Sequence, residues 1–301
     1  MASADYSDLR RIPALAFTYE GEDRELLERI APLVDLIEIT PDTIAASERG
    51  RVFLRPELLD EYASLPQRIQ FIAHGIGLSI GSFDHWNEQY LRLLEELTVH
   101  IDLQWHSEHL AFTTVAGENS GTMFTLPRTE ESLDLVCERV RRIQELYPIP
   151  FLLENVVQLL PDPPCEYTPA GFLNAITART GCGLILDAYN LQCDAYNQDM
   201  NVNDFLDELN WSAVREIHLA GGVLYNGFQL DIHSNVTSDQ TLDSALEAIR
   251  RAPNLRAVTF ELLKEAVPLL GHGGICAELI RIREAIQSCG SKPTNAAYSI
   301  F

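Results

Sequence analysis

The feature that most constrains the fold is an unbroken alternation of short apolar stretches with amphipathic helical stretches. The apolar stretches have the length of buried strands, and each is followed by a helix before the next begins. The predicted strands are 13–19, 36–39, 69–76, 103–110, 151–155, 183–187, 214–220 and 257–261. Repeated strand-then-helix units require a parallel sheet, and eight of them indicate closure into a barrel. The predicted fold class is therefore α/β, a single (β/α)₈ TIM barrel.

The same alternation sets the predicted domain organisation. A length of 301 residues would by itself suggest about two domains. No linker interrupts the eight units, so we predict one barrel domain over residues 1–290. The last residues, 291–301, are predicted to be a flexible C-terminal tail.

Residues with metal-binding side chains collect at the ends of the predicted strands. In a barrel of this kind the C-terminal strand ends share one mouth, where the chemistry takes place. Two further candidates, Asp231 and His233, are two residues apart, which in an extended segment directs both side chains to the same face. The predicted metal ligands are His74, His109, Glu154, Asp187, Asn190, His218, Asp231, His233 and Glu261.

This set is larger than one metal ion requires. Its four carboxylates would repel one another unless cations lay among them, and one ion with an open position needs only three or four protein ligands. We therefore predict two or three ions, with Glu154 as a bridging ligand. Imidazole and carboxylate without thiolate suits iron, manganese or zinc, and the residue types do not choose among these metals.

Simpler roles exist for some of these residues and for the other histidines. Glu261 could pair with a basic residue of the barrel, and Asp187 could cap the turn that follows it. The remaining histidines fall outside the strand-end pattern, and we interpret them as structural. They are His85, His100, His106 and His272.

Charge and composition exclude several function classes. Acidic residues outnumber basic residues 44 to 22, for a formal net charge of −22. Nucleic acid and anionic membrane surfaces would repel such a chain, so neither is an expected partner. The sequence shows no signal peptide and no apolar stretch of about 18 residues. Its six cysteines contain no C-x-x-C pair and are expected to be reduced, which favours a cytoplasmic protein.

The motifs around these residues resemble a known family. In chain order they are HGIGLSIG (74–81), SEHLA (107–111), LLENV (152–156), LDAYNL (186–191), EIHLAG (216–221), DIHS (231–234) and the strand ending at Glu261. Together they resemble the multinuclear non-haem iron-dependent oxidative enzymes, a TIM-barrel family long described as a domain of unknown function. The likeness extends from about residue 70 to residue 265. Glu108 stands where that family commonly has Asp, and the loop after the second strand reads Thr40-Pro41-Asp42-Thr43 where a Glu-Asn pair near Glu38 is expected.

The resemblance implies an activity, cofactors and partners. It implies two or three iron ions of mixed Fe(II)/Fe(III) state, with O₂ as co-substrate. The reaction would modify a residue, often Cys, of a ribosomally synthesised precursor peptide, in the maturation of a peptide natural product. A separate partner protein would present the peptide's leader. The family's iron-binding positions match the same nine residues that were selected at the strand ends.

Two other interpretations stay open at the level of sequence. The same rim with two or three zinc or manganese ions would suit a hydrolase or a sugar isomerase, since xylose-isomerase-like barrels have similar sites. A non-catalytic binding module that keeps the barrel as a scaffold is the other. That module would have lost ligands, whereas all nine are present.

Overall fold

A computed structural model describes residues 12–290 of the chain. The predicted tail, 291–301, and the first eleven residues of the predicted barrel domain lie outside the described residues.

The described strands and helices alternate along the chain. The strands are β1 (Ala14–Thr18), β2 (Leu36–Ile39), β3 (Ala45–Glu48), β4 (Arg51–Leu54), β5 (Gln70–Gly75), β6 (Leu103–His109), β7 (Ala111–Val115), β8 (Glu118–Thr125), β9 (Phe151–Glu154), β10 (Gly183–Asp187), β11 (Val214–Leu219), β12 (Val223–Tyr225), β13 (Phe228–Leu230) and β14 (Ala257–Phe260). The helices are α1 (Arg24–Ile30), α2 (Pro56–Ala63), α3 (Glu88–His100), α4 (Glu130–Leu146), α5 (Pro169–Thr180), α6 (Ala188–Gln198), α7 (Val202–Glu208), α8 (Asp239–Arg251) and α9 (Val267–Gly290). A short 3₁₀ turn, Lys264–Ala266, precedes α9, which is kinked at Gly271.

Eight of the strands close into one parallel barrel, which confirms the predicted fold class. The order around the barrel is β1-β2-β5-β6-β9-β10-β11-β14, and β14 returns to pair with β1. Each of the eight predicted strands corresponds to one barrel strand, with bounds that differ by at most one residue at either end. The remaining six strands form three antiparallel hairpins, β3–β4, β7–β8 and β12–β13, which follow β2, β6 and β11.

Most of the described helices begin after a residue whose side chain caps them. Thr129-Glu130-Glu131-Ser132 in the sequence predicts a helix start, and α4 confirms it, because the hydroxyl of Thr129 accepts a hydrogen bond from the backbone N–H of Ser132. The sequence also predicts a helix over about 84–99, which was wrong at its start, since α3 begins at Glu88 after Asn87 as its cap. After the sixth strand the sequence predicts a helix only over 202–209, so it missed α6, which starts directly after the last residue of β10.

The barrel interior is built in layers, because side chains two residues apart on a strand point to the same side. The deepest layer is a small apolar cluster, separate from the main core between barrel and helices, made of Ala16, Leu36, Ile72, Trp105, Leu152, Ile185 and Ala257. Two residues further along these strands the inward positions become polar. They are Thr18, Glu38, His74, Ser107, Glu154, Asp187 and Thr259, all of them buried. The apolar layer thus closes the barrel beneath a polar site at its C-terminal end.

Candidate metal centre

The strand ends bring the predicted ligands to one end of the barrel. His109, Glu154 and Asp187 are the last residues of β6, β9 and β10, and Glu261 directly follows β14. His74 and His218 each lie one residue before the end of their strands. The other three come from the loops beyond, with Asn190 in the first turn of α6 and Asp231 and His233 after the β12–β13 hairpin.

One group of three ligands lies between β5, β6 and β9. Nε2 of His74 is 2.9 Å from Oε2 of Glu154, and Nε2 of His109 is 3.5 Å from the same oxygen. The two imidazole Nε2 atoms are 3.4 Å apart. Two ligands bound about 2.1 Å from one ion at a tetrahedral angle would be about 3.4 Å apart. The spacing of this group therefore fits one shared metal ion.

The outer hydrogen bonds of His74 and His109 fix which ring nitrogen is free. His109 Nδ1 is 2.9 Å from the carbonyl oxygen of Gly75, and because a carbonyl only accepts, Nδ1 carries the hydrogen. The hydroxyl of Ser107 donates to the carbonyl of Ala73 and so accepts from Nδ1 of His74, 2.8 Å away. Both Nε2 atoms then direct lone pairs toward Glu154. Two neutral imidazoles that face a carboxylate in this way are stabilised by a positive charge among them, from a metal ion or a proton.

A second group surrounds the carboxylates of Glu154 and Glu261. Nδ1 of His218 is 3.0 Å from Oε2 of Glu261 and 3.7 Å from Oε1 of Glu154. Asp187 joins these three residues in a cluster whose ligand atoms all lie within 4.8 Å of one another. Because Glu154 contributes one oxygen toward each group, it is placed to bridge two ions.

The loop after β13 extends the cluster toward the barrel mouth. Nδ1 of His233 is 3.2 Å from Oε2 of Glu261, while its Nε2 is 2.6 Å from Asp231 and 4.0 Å from Asp187. His233 adopts a φ of +36°, a backbone conformation that is strained for a residue with a side chain. In this conformation both ring nitrogens of His233 lie among carboxylates.

Asp187 caps a helix and also directs a free oxygen toward the cluster, although the sequence presented these two roles as alternatives. Its Oδ1 caps α6 by accepting from the backbone N–H of Asn190 at 2.6 Å. Its Oδ2 is buried without a hydrogen-bond partner and faces the cluster. The amide nitrogen of Asn190 donates to the carbonyl of Asn155, so its Oδ1 is also left without a donor.

The buried oxygens of the site lack hydrogen-bond donors. Those without a partner are both carboxylate oxygens of Glu154, Oδ2 of Asp187, Oδ1 of Asn190 and Oδ1 of Asp231. A buried acceptor without a donor is destabilising, and carboxylates even more so. Oxygen and imidazole ligands of this kind fit hard and borderline divalent metals, so the residues present fit a metal centre.

The pKa values also indicate that positive charge stabilises the carboxylates of the site. Burial raises the pKa of the Glu154 carboxyl, but His109, His218 and His74 outweigh burial and bring that pKa to about 2. Burial lowers the pKa of His109, yet the facing carboxylates, Glu154 foremost, raise it to about 10. Burial and the charge of Glu154 raise the pKa of Asp187 well above its ordinary value. Positive charge on histidines or metal ions is what stabilises these carboxylates.

Comparison with known proteins decides the family. A family model described as "RiPP precursor modification enzyme MbnB/TglH/ChrH" matches residues 21–286, which is most of the chain. The chain belongs to this family. RiPP denotes a ribosomally synthesised and post-translationally modified peptide, so the MbnB/TglH/ChrH family consists of enzymes that act on peptide precursors.

Relatives of this MbnB/TglH/ChrH family member carry the name UPF0276 protein. One from Caulobacter vibrioides is 32% identical over 219 residues, covering 72% of this chain and 75% of the relative. One from an Anaeromyxobacter strain is 34% identical over 183 residues, covering 61% of this chain and 65% of the relative. The match to a Streptomyces avermitilis protein covers 91% of this chain but only 55% of that longer relative.

Solved structures share the barrel but little sequence. D-Psicose 3-epimerase from Clostridium cellulolyticum superposes with a TM-score of 0.58 at 11% identity, covering 92% of this chain and 99% of the epimerase. A xylose isomerase domain containing protein from Salmonella typhimurium gives a TM-score of 0.59 at 13% identity, with 95% and 100% covered. These likenesses establish a xylose-isomerase-like barrel as the fold of this family member. Among residues 12–290, no helix combines the length and the apolar character needed to cross a bilayer.

Sequence reasoning missed two carboxylates that contact the site from below. Glu38 on β2 and Glu216 on β11 are fully buried in the barrel interior, and both approach His218. A signal for them existed, because a glutamate within an apolar strand stretch is rarely buried unless it is paired. Strand-end position could have selected Glu38, which lies one residue before the end of β2, whereas Glu216 lies deeper on β11.

Proposed function

We propose that this chain is an iron-dependent oxidase that uses dioxygen to modify a cysteine residue of a ribosomally made precursor peptide. In this proposal the barrel holds two or three iron ions of mixed Fe(II)/Fe(III) state through the nine residues named above. Membership in the MbnB/TglH/ChrH family supports the peptide substrate. The identity of the metal, the use of dioxygen and the modification of cysteine go beyond the family match and are part of this proposal.

The observation that carries the proposal is the sharing of Glu154 between two ligand groups. His74 and His109 complete one group, and His218 with Glu261 completes the other. This sharing supports a site with more than one ion, and because a zinc or manganese hydrolase or isomerase would use the same two groups, the metal analysis below separates it from the oxidase. Nitrogen and oxygen ligands without thiolate suit iron in a site that keeps open positions.

In this proposal iron supplies the redox chemistry with dioxygen, for which amino-acid side chains have no equivalent. The chain's own residues orient the ligands and exclude water. The hydrogen bonds to Gly75 and Ser107 hold two imidazoles with Nε2 facing inward, and burial of Glu154 keeps solvent away from the shared carboxylate.

Exposed apolar side chains at the mouth support a peptide substrate rather than a small sugar. The β12–β13 hairpin leads directly into Asp231, and its Val223, Leu224, Tyr225 and Phe228 are 41–62% exposed. An apolar patch beside a polar site is typical of a surface that binds another molecule. We propose that the precursor peptide passes over this hairpin, presented by a separate leader-binding partner protein.

The test is metal analysis of protein purified without oxygen from iron-supplemented cells. We expect two to three irons per chain by elemental analysis, with both oxidation states visible by Mössbauer spectroscopy. Stoichiometric zinc or manganese with iron absent would contradict the proposal and favour hydrolysis or isomerisation.

Two matched variants make this test specific to the site. His109→Phe removes a proposed ligand from β6, whereas His106→Phe makes the same change three residues earlier on that strand, outside the site. We expect the first variant to lose iron and oxidation of the peptide together, and the second to keep both. Full oxidation of the peptide by an iron-free His109→Phe protein would refute the proposed role of the cluster.

A further inference from the structure

Two buried glutamates that are not among the nine predicted ligands approach a single imidazole of the metal centre. Glu216 precedes His218 by two residues on β11, so both side chains point into the barrel, while Glu38 reaches the same space from β2. Nε2 of His218 is 3.3 Å from Oε2 of Glu38 and 3.4 Å from Oε1 of Glu216. Both glutamates are fully buried. The two carboxylates therefore face the ring nitrogen of His218 that points away from Glu261.

Donors from the chain occupy three of the four carboxylate oxygens. Glu38 Oε1 accepts from a threonine hydroxyl at 2.7 Å, and Glu216 Oε2 accepts from an indole N–H at 2.7 Å. Glu216 Oε1 accepts from a second threonine hydroxyl. These donors are Thr18, Trp105 and Thr259, respectively. Oε2 of Glu38 and Nε2 of His218 are both buried without a hydrogen-bond partner, and they lie 3.3 Å apart.

This arrangement is unlike that of the other two strand histidines. The outer nitrogens of His74 and His109 meet a hydroxyl and a carbonyl oxygen, which are neutral acceptors. The outer nitrogen of His218 meets carboxylates. A carboxylate that accepts the outer N–H of a ligating histidine fixes its tautomer and makes the imidazole a stronger donor to the metal.

We propose that Glu38 is the positioning residue of His218: its carboxylate, 3.3 Å from Nε2, keeps the hydrogen on that nitrogen so that the Nδ1 lone pair faces Glu154 and Glu261, with Glu216 holding the ring from below. His218 then binds more strongly than the carbonyl-held and hydroxyl-held histidines, and it favours the more highly charged oxidation state of the adjacent ion. This inference rests on the proposed metal centre, although it does not depend on the peptide or the reaction.

A deeper metal ion is the competing interpretation, and the hydrogen bonds argue against it. Ligand atoms of Glu38, Glu216 and His218 lie within 4.8 Å of one another. Three of the four carboxylate oxygens already accept hydrogen bonds, so a deeper ion would have to share them with Thr18, Trp105 and Thr259. Only Glu38 Oε2 and His218 Nε2 are without a hydrogen-bond partner.

The experiment compares Glu38→Ala and Glu38→Gln with the wild type and with a control, Glu278→Gln. Glu278 is a buried glutamate on α9 that is paired with Arg281, so it controls for loss of a buried carboxylate away from the site. Binding of Co²⁺ alone is followed by its visible absorption under anaerobic conditions, and the midpoint potential of the iron-loaded protein is measured by redox titration.

We expect Glu38→Ala to weaken Co²⁺ binding at one site by roughly 10- to 100-fold and to change its absorption spectrum. Glu38→Gln keeps an acceptor oxygen and should recover most of the affinity. It should still raise the midpoint potential, because the negative charge beside His218 is gone. Glu278→Gln should match the wild type in both measurements.

Three outcomes would overturn this inference. In the first, Glu38→Ala keeps the wild-type Co²⁺ spectrum and affinity. In the second, Glu38→Gln leaves the midpoint potential unchanged. In the third, Glu38→Ala loses one whole Co²⁺ ion while the spectrum of the remaining Co²⁺ does not change. The last would make Glu38 a ligand of a deeper metal. If Glu38→Ala does not fold, Glu38→Gln carries the test. Failure of the wild type to bind any metal would instead refute the proposed function itself.

Discussion

His106 lies outside the proposed site, and replacing it should change the pH dependence of the free energy of unfolding. The ring of His106 packs outside the barrel, with its centroid 4.9 Å from that of Phe151 and 5.6 Å from that of Tyr147. Its Nε2 is buried without a hydrogen-bond partner. Burial among these rings lowers the pKa of His106 to about 3. His106 is therefore neutral in the folded protein above about pH 3.

The sign and size of the pH effect follow from this pKa. Between pH 3 and the ordinary histidine value of 6.5, the unfolded chain binds a proton at His106 that the folded protein does not. The free energy of unfolding therefore falls as the pH falls below 6.5, by about 1.4 kcal/mol per pH unit. At pH 5 the loss from this residue is about 2 kcal/mol, and above pH 7 it is close to zero.

The variant His106→Phe should remove this dependence, because phenylalanine does not titrate and leaves no unpaired nitrogen. The free energy of unfolding of the variant, relative to that of the wild type, should be about 2 kcal/mol higher at pH 5 than at pH 7.5. Urea unfolding of the metal-free proteins at both pH values measures this. The comparison cancels the titration of distant groups. A stability difference that does not change with pH would refute the argument.

Three further predictions concern the site and its mouth. Asp187→Asn keeps an oxygen for the N–H of Asn190, so this variant should lose metal with little loss of stability. Asp187→Ala removes the cap, and its free energy of unfolding should be about 1 kcal/mol lower. Equal stability of the two variants in urea would contradict the capping role. In Gly75→Ala the new Cβ would clash with the hydroxyl of Tyr90, displacing the carbonyl that orients an imidazole, so we expect reduced iron content by elemental analysis. Wild-type iron content would count against this. Leu224→Ser should keep iron but raise the KM for a cysteine-bearing precursor peptide about fivefold, measured by mass spectrometry of the product. An unchanged KM would exclude the hairpin from peptide binding.

The barrel and the strand-end cluster were accessible from sequence because both follow from local patterns. Each barrel strand is an apolar stretch bounded by polar residues, and parallel strands put their C-terminal ends on one side. The meeting of His74, His109 and Glu154 therefore follows from their positions at the ends of neighbouring strands. What the pattern does not contain is the tautomer of each histidine, since this depends on acceptors such as the carbonyl of Gly75 from a neighbouring strand.

The three hairpins were not predicted, although each contains a two-residue turn with positive φ at both positions. The turns are Arg49-Gly50, Ala116-Gly117 and Asn226-Gly227. Only Asn-Gly among them is a strong sequence signal for such a turn, because Arg and Ala tolerate positive φ poorly. Even the Asn-Gly hairpin has strands of only three residues, too short for an alternation to stand out. Short elements that rest on an existing barrel carry little signal of their own.

The shared barrel does not decide between an epimerase-like and an oxidative activity, and neither does the number of ligands, because two or three zinc or manganese ions would use the same rim. Likeness to the sugar epimerases establishes the fold, and that fold hosts many chemistries at the same strand ends. Glu154 has one oxygen near each ligand group, so the residues present fit more than one ion whichever the metal is. Iron ions would supply redox chemistry with dioxygen, whereas zinc or manganese ions would supply hydrolysis or isomerisation. Iron analysis is therefore the measurement that separates the two activities.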